Sequence, residues 1–344
     1  MSGGPLRRAL HRVGWSSLTK IGLTRKRVAQ ALGRGRLTPA QVELLRLMRE
    51  QNRQSHSPFK ASAIWLELSK RFDDWFWWEG IADVESQRLN NYFSSPAPTD
   101  PKLLRYAMWM LYHNLKRRDE LDLLSRIPAT ASTESGLAFD FGKDRVSWDQ
   151  LVSVDNLYSI SEADRSLLTD AVVVVDLGAG WGRMGYALKK ANPKCVYVVC
   201  DLPEALLVSS SYLPRILPGE RFHSFAANQA VSQFDADVFR EGGIFFLGAE
   251  DLQRVADKSV DFVINIGSFQ EMTLVQVDQY FQLIDAKLSG VFFTQQLLRA
   301  ETHNYRCGEI AGYDEYPFRT NWKRLYVRQA TFSDLYFETA YRIP

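Results

Sequence analysis

Cysteine is scarce in this chain, with three in 344 residues. Cys195, Cys200 and Cys307 fit neither a zinc site nor a disulfide framework by spacing. Two of them share one apolar run and read as packed thiols, which suits a reducing cytoplasm. Long hydrophobic runs are missing too. No apolar stretch approaches the roughly 20 residues of a membrane span. The start, MSGGPLRRALHRVGW, is basic but lacks the apolar segment and small-residue cleavage site of a secretory signal. Net charge is nearly absent: 42 Lys and Arg against 40 Asp and Glu leave +2, so charge gives no global argument for nucleic acid. There is no internal repeat. The remainder, 46% hydrophobic and 24% charged, is ordinary for a soluble globular protein. The length allows two domains, or one with a large extension.

One stretch stands out from this background, Val172 to Tyr186, VVVVDLGAGWGRMGY. Four valines in a row read as a buried parallel strand, because such strands are continuously apolar. Gly178, Gly180 and Gly182 let the backbone turn sharply and approach a ligand. MGYALKKAN then carries helical periodicity up to Asn192-Pro193. Strand, glycine turn and helix open a doubly wound α/β domain whose ligand lies at the carboxyl edge of the strand.

Several ligands compete for this turn. Gly180 to Gly185 matches GxGxxG, the dinucleotide pattern. Asp176 to Gly182 matches acid-x-Gly-x-Gly-x-Gly. A carboxylate just before the turn sits badly beside a pyrophosphate and suits the cationic amino-acid end of S-adenosylmethionine. A phosphate loop is excluded, since no Gly-Lys-Ser/Thr follows. A bare turn with no ligand is the plain alternative. Against it stands a second strand, Cys195 to Asp201, with an acid at its tip. Asp201 follows Asp176 by 25 residues and Gly180 by 21. An acid in that place takes a ribose hydroxyl pair in nucleotide-binding folds.

VVDLGAGWGR followed by VVCDLP resembles a class I S-adenosylmethionine-dependent methyltransferase. With INIGSFQEM further on, the chain is similar to the sugar O-methyltransferase family. The resemblance covers roughly Leu167 to the C-terminus. It implies a Rossmann-like, seven-stranded methyltransferase sheet in the α/β class, with a mainly helical N-terminal extension. The expected domains are a basic arm and helix over 1–55, a helical domain over 56–160 and the methyltransferase domain over 161–344. The cofactor implied is S-adenosyl-L-methionine. Its expected contacts are Asp176, Gly178, Ala179, Gly180, Gly182 and Arg183 in the turn, then Asp201 and Leu202. Where the family sets an acid against the adenine amino group, this chain has Gly248. That role passes to Glu250 or Asp251, beside Leu252. Asn265, Gly267 and Ser268 at the fourth strand tip complete the set.

The acceptor side is less determined. Gln270 and Glu271 follow the fourth strand, and the polar run there is costly to bury without partners. Glu271 is a general-base candidate; capping the next helix through its charge is the alternative. His303, in a polar loop after the fifth strand, is a second candidate base. Tyr305 and Trp322 are expected at the acceptor. A sugar hydroxyl is a poor nucleophile, so a base within hydrogen-bond reach assists transfer to it. No metal cluster is visible in the sequence. The rivals are a methyltransferase of a non-sugar metabolite, a non-catalytic scaffold that keeps the fold, and a dehydrogenase.

Residues 1 to 55 hold twelve Lys and Arg against Glu43 and Glu50. Such an arm suits nucleic acid, an anionic surface or an acidic partner. The plainer reading, packing on the body or a neighbouring subunit, is preferred, with a homo-oligomer through the helical N-terminal region. The expected acceptor is a small molecule or sugar, with no nucleic acid and no membrane span. Thr38-Pro39 predicts a helix start. The aromatic run Asp74 to Glu79 suits a core or interface, or a wall stacking on sugar rings. Leu103 to Arg118 has helical spacing, Gly142-Lys143 centres a hairpin, and Ser161 to Asp164 predicts a capping box.

Overall fold

The computed structural model describes residues 37–55, 57–63, 65–69, 72, 76, 81, 100–131, 137–299 and 309–344. The first 36 residues, with most of the basic arm, lie outside them, as do nearly all of the Asp74–Glu79 run, Cys307, His303 and Tyr305.

The valine run becomes strand β3 (Val173–Leu177), paired in parallel with β4 (Val196–Asp201) on one side and β7 (Val260–Ile266) on the other. β6 (Ile244–Gly248) lies beyond β4, and β8 (Leu288–Leu297) beyond β7. Successive strands therefore leave β3 in opposite directions, which opens a crevice at their carboxyl ends. The chain closes with β9 (Lys323–Ala330) and β10 (Ser333–Arg342); β10 runs antiparallel between β8 and β9. Among the described residues the sheet has eight strands where seven are expected. The extra one is β5 (Phe222–His223), two residues paired with the β6 edge. It is too short to carry a sequence period, and the stretch around it shows none.

Helices cover both faces. Thr38 caps α1 (Pro39–Gln54): its hydroxyl accepts from Gln41 N, and the Gln41 side chain answers the cap's own N–H. Asp100 caps α2 (Pro101–Arg118), where Leu104, Met108, Leu111 and Leu115 are buried. The hairpin forms as β1 (Ala138–Phe141) and β2 (Asp144–Ser147), around Gly142 at φ 67°. It feeds α3 (Trp148–Ala163), buried on nearly every side between the sheet and its neighbours. The expected capping box moves. Ser161 lies inside α3, and the true box is Ser147 with Gln150 at its start. A hydroxyl and an acid three apart fit a helix interior as well as its start, and only the chain direction before Ser147 decides.

α4 (Arg183–Ala191) and α5 (Pro203–Ile216) follow the glycine turn and Asp201. Leu45, Met48, Leu104, Leu151, Leu157, Val174, Tyr197 and Leu213 belong to one continuous core on this face. The N-terminal helices thus share the sheet's core. The opposite face packs Phe245, Val263 and Phe292 against α6 (Leu274–Lys287) through Val277, Phe281 and Ile284. No described helix is long and apolar enough to cross a membrane.

Candidate functional site

Leu177 ends β3, and the next residues leave the sheet. Gly178, Gly180 and Gly182 have φ of 74°, 60° and 89°, the left-handed region that side chains resist. Gly178 is constrained twice: a Cβ there would stand 2.2 Å from Ser268 Oγ. Gly178 N donates to Cys200 O at 2.8 Å, tying the turn to β4. Ser268 and the β7 tip therefore close over the turn at van der Waals distance.

Asp201 meets the turn from the β4 side. Its Oδ2 accepts Gly180 N at 2.7 Å and its Oδ1 accepts Leu202 N at 2.6 Å. A carboxylate has about four acceptor positions. Two are taken, and one per oxygen remains, the arrangement a vicinal diol requires. Burial pushes this carboxyl up to about 7; the two backbone N–H bonds oppose the shift, and the charges of Asp176 and Glu204 add to it.

Asp176 lies beneath the turn, 2% exposed. Tyr197 donates its hydroxyl to Asp176 Oδ2. Burial raises Asp176 to about 6 against that bond and the nearby Arg183 charge. Gly185 makes the contact between Tyr197 and Asp176 fit: a Cβ there would stand 2.6 Å from the Tyr197 ring. The final glycine of GxGxxG therefore serves packing. Arg183, expected at the cofactor, is buried and donates to Ser153 Oγ on α3 at 2.9 Å, which fixes the helix against the turn.

The β7 tip is stitched by amides. Asn265 donates to Leu177 O at 2.7 Å, and its Oδ1 accepts Gln296 Nε2 at 2.6 Å and Phe269 N at 3.2 Å. Expected at the cofactor, it is consumed holding β3, β7 and β8 in register. Gln270 likewise accepts Leu297 N at 2.7 Å instead of standing free for an acceptor. Gly267, at φ 71°, has no atom within 4 Å of where a Cβ would lie, so it faces open space. Gln295 is adjacent to Gln296 but points to the other face, as strand alternation requires. It donates to Asn156 on α3 at 3.1 Å and to Glu338 on β10 at 3.2 Å.

Glu271 closes the far bank. It is partly exposed, yet protein atoms crowd it, and this burial pushes its carboxyl up to about 8. Trp65 donates its indole N–H to Glu271 Oε2 at 2.9 Å, opposing the rise, while the charge of Asp201 adds to it. Trp65 lies 206 positions away in sequence, and no local signal connects the two.

The remaining expectations separate. Asp251 is buried, accepts Gly248 N at 2.8 Å and Gln51 Nε2 at 2.6 Å, and forms an ion pair with Arg254 at 2.9 Å. Its oxygens are engaged within the protein, while Glu250 stays partly exposed. Leu252 is core. Trp322 is a correction: expected at the acceptor, it is 5% exposed, packs on Phe281 and Phe292, and donates to Asp285 at 2.6 Å. An indole in a polar, basic stretch looks exposed until the last strands fold it under α6. Among the described residues, no group of three or more His, Cys, Asp or Glu is arranged to hold a metal ion.

No protein-family model matches the sequence, and no curated protein sequence matches it. Among solved structures the chain is similar to the pyocyanin biosynthetic protein PhzM, at 14% identity and a TM-score of 0.36, over 57% of this chain and 58% of that one. It is also similar to a SAM-dependent methyltransferase from Aquifex aeolicus, at 14% identity and a TM-score of 0.38, over 58% of this chain and 94% of that one. A third is a geranyl diphosphate methyltransferase in complex with SAM, at 11% identity and 0.36, over 57% and 90%. Likenesses at this level leave the functional argument to the residues of this chain.

Proposed function

We propose that this protein is an S-adenosylmethionine-dependent methyltransferase acting on a hydroxyl group, with a sugar or glycosylated metabolite as acceptor. The observation that carries the reading is the acidity of the crevice around the glycine turn. The charge of Asp176 raises the proton affinity of Asp201, and that of Asp201 does the same to Glu271. Such an edge repels a pyrophosphate and attracts a cation, which favours a sulfonium ligand over a dinucleotide.

The residues fit that ligand. Asp201 retains one acceptor position per oxygen for a ribose diol. The turn approaches closely because its glycines lack side chains, and Gly267 leaves room opposite. When bound, S-adenosylmethionine supplies an electrophilic methyl group on a positively charged sulfur. The chain's own task is positioning and proton removal. Glu271 in its ionised form takes the proton that the acceptor hydroxyl loses, becoming a neutral acid. His303 remains a second candidate base. The reading includes a cytoplasmic setting. The exposed stripe Leu103, Tyr106 and Met110 on α2 supports a homo-oligomer through the helical region.

Calorimetry with S-adenosylhomocysteine tests the proposal. Binding is expected for the native chain, with a loss of tenfold or more for Asp201→Ala, roughly one charged hydrogen bond. Binding of a nicotinamide dinucleotide instead, with no affinity for S-adenosylhomocysteine, would overturn it.

A further inference from the structure

The chain before α2 is fastened to both banks of the crevice. On the β4 side, α1 sets Arg49 against Glu204 at 2.8 Å and Gln51 against Asp251 at 2.6 Å. On the β7 side, Phe59 packs edge-on against Tyr280 with ring centroids 5.6 Å apart, and Lys60 O accepts Gln276 Nε2 at 2.8 Å. Trp65 then reaches Glu271. Its ring is gripped from behind: it stacks on Phe72 at 5.9 Å, and Phe72 stacks on Phe76 at 5.8 Å. Phe72 and Phe76 are 1% and 0% exposed. The indole is thus held by packing, and its one polar atom is aimed at a carboxylate.

We propose that Trp65 is a positioning residue for Glu271: its indole N–H fixes Oε2 and leaves Oε1 as the proton-accepting atom. This rests on the reading of Glu271 as the base. Oε1 accepts no hydrogen bond among the described residues. A glutamate side chain has freely rotating bonds, and a single strong donor on one oxygen removes most of that freedom before the acceptor arrives. The same bond favours the ionised form. It counters the two influences that keep the proton on, burial and the facing charge of Asp201. The contact also links the helical residues around Trp65 to proton transfer: without the N–H, the ionised form of Glu271 loses the donor that favours it.

Two nuclear magnetic resonance titrations on the full chain test this without cofactor or acceptor. With 13C-carboxyl-labelled glutamate, the signal lost in Glu271→Gln identifies Glu271. Its midpoint is expected to rise by about one pH unit in Trp65→Phe, which keeps the ring and loses the donor. With 15N-labelled indoles, the chain has nine tryptophans, and the signal lost in Trp65→Phe is Trp65. It should shift with the Glu271 midpoint and cease to titrate in Glu271→Gln. An unchanged Glu271 midpoint in Trp65→Phe overturns the proposal. So does an indole signal that never titrates, or one that still does in Glu271→Gln. If Trp65→Phe fails to fold, the indole of Glu271→Gln still decides, assigned by its contact with the Phe72 ring. The methyltransferase reading is tested separately by S-adenosylhomocysteine calorimetry, so the two failures are distinguishable.

Discussion

Glu271 and Asp201 carry the sharpest residue-level expectations. Glu271→Gln keeps the shape and the Trp65 contact but cannot take a proton. Turnover should fall about 10²- to 10⁴-fold, the usual weight of a general base, while S-adenosylhomocysteine affinity stays within a factor of about two, since the base contributes chiefly in the transition state. Steady-state kinetics beside calorimetry would show it, and unchanged turnover would remove Glu271 from the mechanism. Asp201 titrates near 7 in the free protein. A diol donates to its ionised form, so ligand affinity should rise from pH 6 to pH 8 and then level off. A flat profile would mean that the diol is held elsewhere. Gly185→Ala isolates packing from strain, because its φ is not positive. A Cβ 2.6 Å from the Tyr197 ring should lower stability by about 1–3 kcal/mol, the usual cost of overpacking, as read from denaturant midpoints.

At the level of elements, α1 is the joint between the N-terminal region and the βα units. Its Arg49 partner, Glu204, has a side chain only 4% exposed, so losing the arginine leaves a buried charge with one partner fewer. Arg49→Ala should raise hydrogen exchange across 39–54 well before α3 responds, since α3 is buried on nearly every side. Equal loss of protection in both helices would show one cooperative unit instead. The elements also show where sequence patterns suffice. Apart from the two-residue β5, the strands from β3 to β10 follow from apolar runs, and α1 and α2 from Thr38-Pro39 and helical spacing. Ser161 misleads because it has the residues of a cap but lies inside α3.

For the whole molecule, four carboxyls crowded by protein atoms share one direction. Asp176 stands near 6, Asp155 and Asp201 near 7, and Glu271 near 8, each raised mainly by burial. All lie above their unfolded values of about 4. Between pH 4 and pH 8 the folded chain therefore holds more protons than the unfolded one, and stability falls as pH rises through that window. The melting temperature of the free protein should be higher at pH 5.5 than at pH 8.5, by scanning calorimetry at constant ionic strength. A rising or flat curve would mean that these groups are less buried in solution.

The sequence by itself determined the frame of the site: the β3 strand, the glycine turn, Asp176 before it and Asp201 at the next strand tip. These are local signals, set by strand apolarity and glycine geometry within the 29 residues from Val173 to Asp201. Tertiary structure decided the remaining contacts, because they join positions far apart in the chain. Trp65 reaches Glu271 and Gln51 reaches Asp251, while Asn265 and Trp322 turn to the protein's own interior. A donor that meets its acceptor across 200 residues leaves no period or spacing to read. Its identity depends on which side chains the packed core brings to one edge of the sheet.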